Sequence, residues 1–415
     1  MRPYATSILA TLITICLAVT GCSAGGDGSA GALPDPVDEL DQDLVRANTQ
    51  FALDLARKLR AEDPDKDLFF SPASISLALA MTKNGAAGET FDAMSKTLGF
   101  GEMSRDAVND GFKDLLTILE NPDPKVELDI ANSIWAREGL PFKEEFLDVN
   151  DQYYDATTRE LDFDDPTARD TINDWVAEAT RGKIEEMVEE IRADTIMFLI
   201  NAVYFQGNWS EEFDPEQTRD DIFYREDGEE VQTEFMHAEE RTCPYYEDDA
   251  LQGVALPYGD GRLGMYVLLP SEDENIDDLL ADLDAEKIEN IFSGFSEREI
   301  NLSLPKFKIE YKKALDEALG DMGMEIAFDR QEADFSRMYP VTPDQNVYIG
   351  EVLHKTFVEV DEKGTEAAAA TSVEIRIESA MIATEFRAER PFLFAIRDDQ
   401  TGTILFLGVV EGMSF

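Results

Sequence analysis

Asp361-Glu362-Lys363-Gly364-Thr365-Glu366-Ala367-Ala368-Ala369-Ala370-Thr371-Ser372-Val373-Glu374-Ile375-Arg376-Ile377-Glu378-Ser379 lies near the C-terminus of the 415-residue chain. Read with a period of two, one face carries Thr365, Ala367, Ala369, Thr371, Val373, Ile375 and Ile377. The other carries Glu366, Ala368, Ala370, Ser372, Glu374, Arg376 and Glu378. That alternation is the pattern of a half-buried strand. The first half is nevertheless rich in alanine, which has low β-propensity and supplies no bulk to hold a sheet together. The segment therefore fits a sheet without a strong local reason to be in one. Small residues suit a strand that must slide between two others, and Gly364 stands just before the run, where a chain could swing. An ordinary strand with a soft start is the plainer reading of the same pattern.

The words of the stretch add to the pattern. Glu362, Gly364, Thr365, Glu366, Ala367, Ala368, Ala369, Ala370 and Thr371 together resemble the hinge of the serpins, the serine protease inhibitor superfamily. Other phrases resemble the same family. They include Phe70-Ser71-Pro72-Ala73-Ser74, Thr180-Arg181-Gly182-Lys183-Ile184, Asn201-Ala202-Val203-Tyr204-Phe205-Gln206-Gly207-Asn208-Trp209, Leu304-Pro305-Lys306-Phe307 and Arg390-Pro391-Phe392-Leu393-Phe394. The resemblance spans about residues 42 to 412. It implies an α+β serpin fold, with multi-strand central β-sheets, about nine helices and an exposed reactive-centre loop. Residues 42–415 would form one domain.

The resemblance also implies roles. Ser71, Ser74, Asn201 and His354 would gather beneath the centre of the main sheet. Trp209 and Thr365 would mark the place where the loop first enters, with Glu362 paired to Lys306. The reactive bond would be Glu378-Ser379, with Arg376-Ile377 as the alternative. The implied activity is that of a suicide substrate: a serine protease cuts the loop, forms an acyl-enzyme, and is trapped as the loop joins the main sheet. The partner is then a target serine protease held in a covalent complex. The inward hinge residues Thr365, Ala367, Ala369 and Thr371 include no charge and no proline, which favours inhibition. The alternative is a non-inhibitory serpin serving as a binding or scaffold lipoprotein at the cell surface.

The N-terminus reads differently. Arg2 is the only charge in residues 1–21, and the apolar run Ile8–Val19 is too short to span a bilayer, so it reads as a signal peptide. Leu17-Ala18-Val19-Thr20-Gly21-Cys22 resembles a lipobox, which implies lipidation of Cys22 and attachment to a membrane facing the extracellular or periplasmic side. Residues 22–41 begin rich in Gly and Ser and read as a flexible tether.

Composition bounds the rest. With 43% hydrophobic residues in 415, the chain can build a large core. Its 88 acidic and 36 basic residues give a formal charge of −52, the mark of a solvated surface suited to a salt-rich habitat. No basic stripe supports nucleic-acid binding. The segment Gly111–Glu120 holds only Lys113, which argues against a heparin site. Only His237 and His354 are available for catalysis, and neither lies in a hydrolase-like motif, so no enzyme activity is expected. His237 and Cys243, six apart in an expected loop, make poor metal-ligand arithmetic. No cofactor or metal is expected. Cys243 is expected to be a half-buried free thiol, and the protein a monomer.

Overall fold

Helix starts follow their caps. Asp41 accepts the backbone N–H of Asp43 and opens the helix Gln42–Glu62, whose buried stripe includes Leu44, Phe51, Leu55 and Leu59. Ser71 accepts the N–H of Ser74, with Pro72 in the first turn, and opens the helix Pro72–Lys83. That helix is buried along almost its whole length. The computed structural model describes residues 40–120, 122–341, 346–365 and 384–413. The expected signal peptide, Cys22, the tether up to residue 39, the hinge residues Glu366–Thr371 and both candidate reactive bonds, Arg376-Ile377 and Glu378-Ser379, lie outside the described residues.

Fifteen strands are described, numbered here in chain order. They are β1 (Leu68–Phe70), β2 (Val126–Arg137), β3 (Thr157–Leu161), β4 (Met197–Asn208), β5 (Arg219–Tyr224), β6 (Glu230–Glu247), β7 (Leu251–Pro257), β8 (Leu263–Pro270), β9 (Ser296–Pro305), β10 (Phe307–Ala314), β11 (Leu353–Asp361), β12 (Gly364–Thr365), β13 (Thr384–Arg387), β14 (Phe392–Asp398) and β15 (Thr403–Val410). One sheet runs β1-β15-β14-β8-β7-β6-β9-β13, with β5 attached to β6. The other, the main sheet, runs β10-β11-β12-β4-β2-β3. Among the described residues there are eight helices longer than six residues, and a ninth region broken by Gly323 into Asp316–Leu319, Gly320–Met324 and Glu325–Phe328. The architecture is the expected α+β one.

The two sheets share a core of aromatic rings. Phe205 of β4 lies 6.0 Å from Phe406 of β15, and Phe307 of β10 lies 5.2 Å from Phe394 of β14. Strands β14 and β15 are buried residue after residue, because helices cover the face that the main sheet does not. Cys243 corrects one expectation. It is 3% exposed, free and fully enclosed, and burial pushes its thiol up to about 11. His237 and Cys243 correct another: both sit on the long strand β6, not in a loop, and both are buried. His237 turns Nδ1 to the hydroxyl of Ser303, 2.8 Å away.

Candidate functional site

The main sheet has a seam. Strands β4 and β11 run parallel, and among the described residues only the two-residue strand β12 joins them. Thr365 pairs with Val360 of β11 on one side and Gly207 of β4 on the other, antiparallel to both. Below that point, among the described residues, no pairing closes the sheet. A cavity of about 410 Å³ opens at the lower end, lined by Thr195–Asn201 and Val347–His354 among others.

The upper end of the seam is built around Trp209 and Thr365. Thr365 is 2% exposed, and its hydroxyl lies 2.7 Å from the Tyr258 hydroxyl. Tyr258 stacks on Trp209 with centroids 4.6 Å apart. The Trp209 indole N–H donates to the Asp361 carbonyl (3.0 Å), and its backbone N–H donates to the Lys363 carbonyl (2.8 Å). Asp361 turns the chain by accepting the N–H groups of Lys363 and Gly364. Gly364 is obligatory there. Its φ is +151°, and an added Cβ would stand 2.1 Å from the Gly207 carbonyl oxygen and 2.7 Å from the Asn208 Cα. Both obstacles are backbone, so neither can step aside.

Glu362 and Lys306 meet as expected, with Lys306 Nζ 3.3 Å from the carboxylate. Lys306 also reaches Glu234, and the Thr218 hydroxyl donates to Glu362 (2.8 Å). Burial works to raise the Glu362 carboxyl, but its own backbone N–H, Thr218 and Lys306 outweigh it and hold the group below the usual carboxylate range.

The middle of the seam rests on a buried hydrogen-bond chain. His354 Nε2 accepts the backbone N–H of Ser71 (3.1 Å), and the Ser71 hydroxyl donates to the Leu405 carbonyl (2.7 Å). The Ser74 hydroxyl donates to Asn201 Oδ1. Asn201 Nδ2 donates to Asn132 Oδ1 (2.7 Å), and Asn132 Nδ2 donates to the Tyr154 carbonyl (2.8 Å). All four residues expected beneath the sheet thus belong to one network, although His354 joins it through Ser71 and not through Asn201. His354 is a core histidine satisfied by a backbone N–H, so its Nε2 carries no proton. Burial drives its pKa down to about 3.

Three functional partners had no signal in the sequence: Tyr258 against Thr365, Thr218 against Glu362, and Asn132 against Asn201. Tyr258 stands in a hairpin turn and Asn132 in an alternating strand, and nothing local distinguishes either from a core residue. Only their arrival at the seam does so.

The profile of the serpin (serine protease inhibitor) family matches residues 46–412. The chain belongs to the serpin family. This serpin is 38% identical over 375 residues to an uncharacterised serpin-like protein of Thermococcus kodakarensis, covering 89% of this chain and 85% of that one. It is 36% identical over 383 residues to the leukocyte elastase inhibitor of Equus caballus, covering 88% and 98%. Its fold is similar to that of the thermophilic serpin Tengpin in the native state, with a TM-score of 0.82 at 34% identity over 90% of this chain and 95% of that one. The family is one of serine protease inhibitors, and relatives such as the leukocyte elastase inhibitor carry that activity in their names.

Proposed function

We propose that this serpin inhibits a serine protease as a suicide substrate, by accepting its own cleaved loop as a new strand between β4 and β11. The observation that carries the reading is the register of Thr365. Because β12 is antiparallel to both neighbours, each further residue steps one position back along each of them. Extended by six residues, the register sets Thr371 level with Asn201 and His354. Extended further, it sets Val373 level with Leu199 and Val352, Ile375 with Met197 and Gly350, and Ile377 with Thr195 and Tyr348. All eight of those neighbours line the cavity. Thr371 would meet the polar network, and Val373, Ile375 and Ile377 would fill the rest of the cavity.

The same register gives the driving force. Thirteen residues, Thr365–Ile377, would span roughly 43 Å as a strand. Burying Val373, Ile375 and Ile377 stabilises by ~1.5–3 kcal/mol each, beside the backbone pairs gained on both edges. The uncut protein is then held kinetically in its less stable form. The chain acts as bait and does not itself catalyse.

Mixing the purified protein with a panel of serine proteases tests this. A band at the summed mass that survives SDS is expected with at least one protease. Mass spectrometry of the released C-terminal peptide should report cleavage at Glu378-Ser379, with Arg376-Ile377 as the alternative. Thr365→Arg places a cation in a site that is closed to water beside Tyr258, so it should turn the inhibitor into a plain substrate. Covalent trapping by that variant would refute insertion.

We further propose that Cys22 is lipidated and holds residues 42–415 as a single domain at the outer surface of a membrane. Fatty-acid labelling should appear in the exported protein and vanish in Cys22→Ser; labelling that survives the substitution overturns this assignment.

A further inference from the structure

On the outer face of the main sheet, a short turn reaches across the seam. The helix Ala168–Ala179 ends at Thr180, and Gly182 closes it by donating to the Ala177 carbonyl at 2.7 Å. Arg181, one residue earlier, has φ +51°, a left-handed conformation that residues other than Gly, Asn and Asp avoid. What that conformation achieves is visible in the side chain. The Arg181 guanidinium pairs with Glu127 and with Asp129 (2.9 Å), both on β2, and lies 4.9 Å over the ring of Tyr204 on β4. Two residues on, Lys183 Nζ sits 5.1 Å over the ring of Phe357 on β11. Lys308 of β10 shares that ring and pairs with Glu359.

Tyr204 and Phe357 are level with each other. Each stands three positions from the residue that pairs with Thr365. The turn is therefore fastened to both lips of the seam at one height, three residues below the last described rung. It is stiff, since Lys183 donates back to the Thr180 carbonyl and Ile184 to the Thr180 hydroxyl. A strand drawn into the seam with a cargo attached to its far end must carry that cargo down the outer face, across the path of this turn.

We propose that Arg181 and Lys183 form a salt-sensitive clasp that sets the rate at which a strand enters the main sheet. This rests on the insertion reading above. The Arg181 pairs are about half exposed on both sides, so added salt screens them. Ionic strength then acts on the trigger as well as on solubility.

The test supplies a synthetic peptide of the Thr365–Ile377 sequence to the intact full chain, with no protease present. Formation of the heat-stable peptide complex is timed on native gels at about 0.1 M and about 2 M salt. Arg181→Gln and Lys183→Met should each anneal the peptide up to about tenfold faster than the parent at low salt. Arg181→Lys should fall between. Salt should accelerate the parent more than Arg181→Gln, a difference that cancels the screening of the rest of the charge. Variants that match the parent in rate and salt response overturn the clasp and leave the insertion reading intact. Peptide uptake by none of the proteins overturns both.

Discussion

His354 and Gly364 show how much a single position decides. Gly364 is the one residue type that lets the chain pass within touching distance of Gly207 and turn into the seam. His354 accepts a hydrogen bond through a nitrogen that must stay unprotonated, in a site that burial keeps neutral down to about pH 3. The unfolded chain takes up that proton near pH 6.5. Between those limits the unfolded state binds more protons, so the contribution of this group to stability is complete above about pH 6.5 and falls as pH falls. At pH 5 the loss amounts to about 2 kcal/mol, set by the unfolded value alone. Urea unfolding of the parent and of His354→Gln at pH 7 and pH 5 measures it. The gap between the two proteins should narrow by that amount at pH 5, and a constant gap would contradict the assignment.

At the scale of elements, the main sheet is two sub-sheets, β4-β2-β3 and β10-β11, held together at the top, among the described residues, by the two residues of β12. The first is rigid, with β2 and β4 paired from Val126 and Gly207 to Ala136 and Met197. The second is equally continuous, with β10 and β11 paired over eight residues. The weakness is concentrated between them, over polar contacts that can be exchanged without tearing apolar packing. A strand placed there gains pairing on both edges. Cleavage of the loop by a protease that the protein does not trap should therefore raise the melting temperature on the order of 10 °C, read by calorimetry on cut and intact samples. A cut protein that melts with the intact one would show that nothing entered.

At the scale of the whole molecule, charge dominates. A formal charge of −52 repels itself, and cations are spent locally, as in the Arg60–Glu411 pair and the twin contacts of Lys313 to Glu62 and Asp63. Acids that lack such partners depend on dissolved ions. The melting temperature of the intact protein should accordingly rise steadily with salt from about 0.05 M to about 2 M. A flat or falling profile in scanning calorimetry would remove the case for a salt-rich habitat.

The sequence alone marked many of the elements and their order, though not the strand β6, where it read a loop. Capping residues, alternation and apolar runs are local, and the family phrases around Ser71, Asn201, Lys306 and Thr365 mark the seam's lining before any coordinate is known. The pairing of Glu362 with Lys306 was legible for the same reason. Tertiary structure decided what those residues meet. Tyr258, Thr218, Asn132 and Arg181 come from four separate segments, and no periodicity encodes their convergence on one line between β4 and β11. It decided burial too: Cys243 reads as half-buried and both Cys243 and His237 as looped, because a long strand leaves no local mark of how deeply it is covered. Proximity across a sheet follows from register and packing of the whole chain, and those are global quantities.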